Sequence, residues 1–170
     1  YGSLFKATEQ GTGFAGLSGE YRPENALFFG AYHTALGHPR LALDHFLLLS
    51  REKAGDESFA DGVYRPWEAL ALALTGDFGL AHSLLLHYLR KQRPWRNTVA
   101  VHFLQVHLVH VLLDVRDFDG ALEHLDSLLA GVSLRGAMIC WVSAYVALAR
   151  YHAVCGRTGT AWRILRTTLE

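Results

Sequence analysis

Four short breaks divide the chain at an even stride. They are Leu36-Gly37-His38-Pro39-Arg40-Leu41-Ala42, Thr75-Gly76-Asp77-Phe78-Gly79-Leu80-Ala81, Val115-Arg116-Asp117-Phe118-Asp119-Gly120-Ala121 and Cys155-Gly156-Arg157-Thr158-Gly159-Thr160-Ala161. Their closing alanines, Ala42, Ala81, Ala121 and Ala161, stand 39, 40 and 40 residues apart. Self-similarity at a period of about 20–50 residues marks one supersecondary unit stacked on copies of itself. Nothing else in the sequence restricts the fold as strongly. Four residues after each alanine comes a large apolar side chain: Phe46, Leu85, Leu125 and Leu165. Seven residues before the second residue of each break (Gly37, Gly76, Arg116, Gly156) stands a small or short one: Gly30, Ala69, Val109 and Ala149.

Each position has a steric meaning. Glycine at a break ends a helix in the left-handed conformation that costs other residues energy. Asp77, Asp119 or Thr158 is placed to cap the next helix, and Pro39 suits a first turn because it donates no hydrogen bond. A small residue in the first helix facing an alanine in the second lets the two axes approach, with the large side chain one turn on filling the gap. The expected fold is therefore all-α, about four stacked antiparallel hairpins, because one hairpin cannot cover its own apolar face. The units lie near 24–54, 63–92, 98–130 and 136–170. Residues 54–62 read as a loop, and Pro66 is expected in a first helical turn. Residues 1–23 hold five of the sixteen glycines and read as a loop or extended segment.

Gly76-Asp77-Phe78 with Ala81, and Asp117-Phe118 with Ala121, resemble the inter-helix turn of the tetratricopeptide repeat. The resemblance covers residues 24–170 and departs in period, because the family unit is about 34 residues long. It implies an α-solenoid whose first helices line a concave groove that takes peptides or helices. Carried over on the breaks, the groove candidates are Leu27, Ala31 and Thr34, then Val63, Leu70 and Ala73. Phe103, Val106, His110 and Leu113 follow in the third unit, with Ser143, Val146 and Arg150 in the fourth. The set is mostly apolar, so the expected occupant is an apolar helix or segment; residues 1–23 packing into it is the competing expectation. Clamping an acidic peptide would call for several Lys or Arg, and only Arg150 qualifies.

The segment Arg90-Lys91-Gln92-Arg93-Pro94-Trp95-Arg96 is a candidate basic patch, with Arg90, Lys91, Arg93, Trp95 and Arg96 as its contact residues. The more economical reading is a solvated loop with Trp95 tucked in. Trp67, Trp141 and Trp162 are expected as core or inter-repeat anchors. Ten histidines raise the question of a metal. His102, His107 and His110 are the densest group, but at 100° per residue His102 lies about 140° from His107. Asp114, one turn beyond His110, would leave only three ligands. His33/His38 and His82/His87, five apart, are expected to point away from one another. Gly11-Thr12-Gly13-Phe14-Ala15-Gly16 spells Gly-x-Gly-x-x-Gly without the preceding strand that dinucleotide binding needs. No catalytic residue, cofactor or metal is expected.

Sixteen basic and sixteen acidic residues cancel, which argues against a dedicated nucleic-acid or membrane-surface binder. Cys140 and Cys155, if on one helix, lie about 22 Å apart and cannot bridge. That suits a reducing cytoplasmic or organelle-matrix compartment rather than secretion. No stretch reaches the roughly 20 apolar residues of a membrane span. The start, Tyr1-Gly2-Ser3, has no signal-peptide pattern, and a chain opening without Met is expected to be a piece of something larger. The leading expectation is a non-enzymatic protein–protein interaction scaffold, a subunit or fragment of an assembly. A narrower one, from the succession of a loop-led unit and three more, is similarity to a tetratricopeptide subunit of a vesicle-tethering complex of the TRAPP type. The alternative is a helical-repeat RNA binder of the pentatricopeptide kind, which would need polar side chains at fixed places in each first helix; here those helices are apolar.

Overall fold

The computed structural model describes residues 23–52, 59–91, 99–135 and 138–170. They form eight helices: α1 (Pro23–Ala35), α2 (Pro39–Glu52), α3 (Phe59–Leu74), α4 (Phe78–Lys91), α5 (Val99–Asp114), α6 (Phe118–Arg135), α7 (Met138–Val154) and α8 (Thr158–Leu169). No strand occurs among the described residues. Successive pairs form hairpins, and α3, α5 and α7 each pack against both helices or the nearer helices of the hairpin before. The first helices α1, α3, α5 and α7 thus lie side by side through the stack, while α8 packs on α7. The Gly-rich segment 1–22 and the loop expected at 54–62 up to residue 58 lie outside the described residues, as does the expected patch beyond Lys91 up to residue 98.

All four turns share one hydrogen-bond pattern. In the second, the Gly76 amide donates to the Ala73 carbonyl at 2.9 Å and the Asp77 amide to Leu72 at 3.0 Å. This is the paired closure that satisfies the last carbonyls of a helix. The equivalent donors are Gly37 and His38, Arg116 and Asp117, and Gly156 and Arg157. The first of each pair has positive φ, 75° at Gly37, 90° at Gly76, 63° at Arg116 and 77° at Gly156. Arg116 therefore takes, at a steric cost, the left-handed position that glycine fills elsewhere. The second of each pair is the cap of the next helix, and its carbonyl accepts from the repeat alanine, as Asp77 does from Ala81 at 3.1 Å. Of the three expected caps, Asp77 holds and the other two are corrected. Asp77 caps α4, with Leu80 N–H donating to Oδ1 at 3.3 Å. Asp117 rather than Asp119 caps α6, accepting from Gly120 N–H at 3.0 Å. Arg157 rather than Thr158 precedes α8 and makes no side-chain cap bond.

The small-to-large pairing also takes physical form. Ala42, Ala81 and Ala121 are wholly buried, as are Phe46, Leu85 and Leu125. Gly30 runs so close to α2 that a Cβ there would lie 2.6 Å from Phe46 Cε1. Pro66 is not in a first turn: α3 begins at Phe59, so Pro66 is interior and buried. A proline there removes one helical hydrogen bond, and the helix continues because Tyr64, Ala69 and Ala71 on both sides of it are buried in the stack. The core runs continuously from Ala69 and Leu85 through α5 to Ala144 and Tyr151, with a second cluster of Ala26, Ala42, Phe46, Leu49, Tyr64 and Ala71 between the first two hairpins.

Candidate functional site

The surface built by the first helices is assembled by contacts between neighbouring units. On α7, Arg150 Nη1 donates to the His110 carbonyl at 3.3 Å and Nη2 pairs with Asp114. The one cation among the groove candidates is thus committed to α5. Asp114, weighed from the sequence as a metal ligand one turn beyond His110, is instead the partner of that arginine. His102, wholly buried on α5, meets Ser143 of α7 with Nε2 and Oγ 2.7 Å apart. The Ser143 hydroxyl has one proton and donates it to the Ile139 carbonyl at 2.8 Å, so His102 Nε2–H donates to Oγ. Ser143 therefore joins two helices rather than acting as a free nucleophile.

His107 Nδ1 donates to the Phe103 carbonyl at 2.8 Å, and its ring meets Trp67 edge-on with centroids 5.3 Å apart. Trp67 is the inter-repeat anchor expected of it. Burial pushes the His107 pKa down to about 4. Burial, His107 and Arg150 push that of His110 down to about 3. Both rings are neutral across the ordinary pH range and serve as packing elements. Among the described residues no group of three or more His, Cys, Asp or Glu converges as metal ligands would.

A second histidine stack lies in the first hairpin. His45 stacks on Phe29 at 5.6 Å and on His33 at 5.4 Å. His38, expected to point away from His33, has its ring 6.2 Å from it because the chain reverses at Gly37. Burial, then His33, lowers the His45 pKa to about 4.

The groove candidates divide by exposure. Val106, Leu113, Ala73 and Thr34 are buried and offer no contact surface. Leu27, Ala31, Leu70, Phe103, His110, Ser143 and Arg150 are half-buried, and Val146 is exposed. For Val63 nothing beyond its place in α3 is described. Arg90 and Lys91 are exposed at the end of α4, where cations favour the negative helix terminus, while Arg93, Trp95 and Arg96 lie outside the described residues. Two expected anchors are corrected. Trp141 is 37% exposed and Trp162 69%, because no further hairpin covers α7 and α8 among the described residues. Sequence reasoning missed the Arg150–Asp114 and His102–Ser143 links; a spacing of about one repeat between the partners is the signal that would have found them.

Cys140 and Cys155 are free thiols, the first buried and the second half-buried. No described helix is long and apolar enough to cross a membrane. Compared with protein-family models, with curated proteins and with solved structures, the chain matches none.

Proposed function

We propose that the chain is a non-enzymatic, tetratricopeptide-like interaction scaffold working as a subunit or fragment of a larger assembly in a reducing compartment. The observation that carries this reading is the apolar strip left partly open on successive first helices, Leu70 on α3, Phe103 on α5 and Val146 on α7. Such a strip, open among the described residues, suits the apolar face of a partner helix. With Arg150 held by Asp114, the strip offers no spare cation among these residues for a carboxylate. The narrower reading, a subunit of a TRAPP-type vesicle-tethering complex, rests on the loop-led order of the units.

The test is affinity purification of the intact protein beside Val146→Glu and Leu70→Glu variants, with thermal melts as the folding control. A stoichiometric subunit retained by the parent and lost by folded variants supports the reading. Recovery of every form as a free chain, or retention by both variants, contradicts it.

A further inference from the structure

The stack is generated by one operation, the docking of a first helix onto the hairpin before it, and among the described residues the first and last helices carry the open half of that contact. On the accepting side, Phe46, Leu85 and Leu125 are wholly buried, whereas their equivalent Leu165 is only half-buried. Leu49, Tyr88 and Leu128 are likewise buried and their equivalent Thr168 is not. Val101 on α5 is buried where Trp141 on α7 is open. The result is a cavity of about 380 Å³ between α7 and α8, lined by Trp141, Tyr145, Arg163, Ile164, Thr167 and Thr168. It lies where a first helix would follow.

On the presenting side the positions match. His107 and Ala147 are buried and Trp67 half-buried in their units, but the equivalent Phe28 of α1 is 71% exposed. Ala71, Val111 and Tyr151 are buried, and the equivalent Tyr32 is 41% exposed. Of the two arginines of α8, Arg163 lines the slot, while Arg166 is paired with Glu170 at 2.8 Å.

We propose that the α7–α8 slot of one molecule receives α1 of a second copy of this chain, head to tail, continuing the internal stack. The contact is heterologous: each copy uses two different faces, so it can repeat from copy to copy beyond a dimer.

Sedimentation velocity over a concentration series tests this with the parent chain, Phe28→Glu and Trp141→Glu. Thr167→Glu serves as a second slot variant that leaves the Trp141–Tyr145 ring pair intact. The parent should form species larger than a dimer as concentration rises. Phe28→Glu alone and either slot variant alone should stay monomeric. An equimolar mixture of Phe28→Glu with a slot variant should form a two-chain species and nothing larger, because one intact contact remains. A monomeric parent at all concentrations overturns the proposal and leaves the slot to residues 1–22 or to another protein's helix. Self-association of either folded variant alone overturns it too, since that requires a symmetric contact. Because Val146 lies outside the slot lining, a failed self-association leaves the partner-binding test above unaffected.

Discussion

Replacing Gly30 with alanine puts the hairpin contact under direct load. The added Cβ would sit 2.6 Å from Phe46 Cε1 and 2.7 Å from Cζ, against the roughly 3.5–4.0 Å of comfortable carbon contact. The ring must retreat by about 1 Å, yet Phe46 is wholly buried. Overpacking of this kind costs about 1–3 kcal/mol, offset by about 1 kcal/mol from the better helix propensity of alanine. Gly30→Ala should therefore lower stability by a net of about 0–2 kcal/mol. The decisive quantity is the coupling. The second hairpin solves the same contact with Ala69 facing Leu85, both wholly buried. Adding Phe46→Leu to Gly30→Ala recreates that pair in the first hairpin. Urea unfolding of the parent, both single variants and the double variant gives the interaction energy. The double variant should be more stable than the sum of the singles by at least about 1 kcal/mol. Additivity within about 0.5 kcal/mol would mean that Gly30 and Phe46 do not share the contact.

Three further perturbations test separate parts of the account. Ala81→Trp, at the wholly buried turn alanine of the second hairpin, should destabilise by about 1–3 kcal/mol or more; an unchanged urea midpoint would put the repeat alignment out of step. Arg116→Gly relieves a side chain held at φ 63° and should stabilise by up to about 1 kcal/mol, whereas Gly76→Ala, at φ 90°, should destabilise by about as much; equal effects in both would contradict the shared turn geometry. Acid should weaken the fold through the buried histidines. The pKa values of His45 and His107 are lowered from 6.5 to about 4 in the fold, so the unfolded chain gains protons first. Stability is full above about pH 6.5 and falls as pH drops toward 4, by a few kcal/mol per group at most, and urea midpoints taken across that window should decline steadily. A flat profile would mean the rings are not buried as neutral groups.

Periodicity made the hairpins legible because close helix approach needs small side chains at fixed places, and Ala42, Ala81, Ala121 and Ala161 leave that trace. Details set by backbone conformation were less visible. The cap of each second helix is the residue after the left-handed one, so Asp117, not Asp119, caps α6. The third break is legible from Asp117-Phe118 and Ala121, but the positive φ at Arg116 is not, because nothing in an arginine signals it. Pro66 suggested a helix start by local preference, yet tertiary burial of Tyr64 and Ala71 carries α3 through it. The candidate surface was harder still. α5 is apolar nearly all round and packs against α3, α4, α6 and α7, so periodicity cannot separate its packed side from its open side. Val106 and Leu113, groove positions by alignment on the breaks, are buried. Arg150 binds Asp114 across 36 residues, a link that exists only once the hairpins are stacked.

Native-state amide hydrogen exchange tests the stacked architecture most directly. In a linear stack each hairpin is stabilised only by its neighbours, and local opening free energies follow that order. The stretch from Leu104 to Leu113 of α5, buried at every position but Gln105 and His110, should exchange most slowly, with protection declining through α7 to α8, which rests on α7. Protection of α8 equal to or greater than that of α5 would contradict a stack of hairpins with an open end.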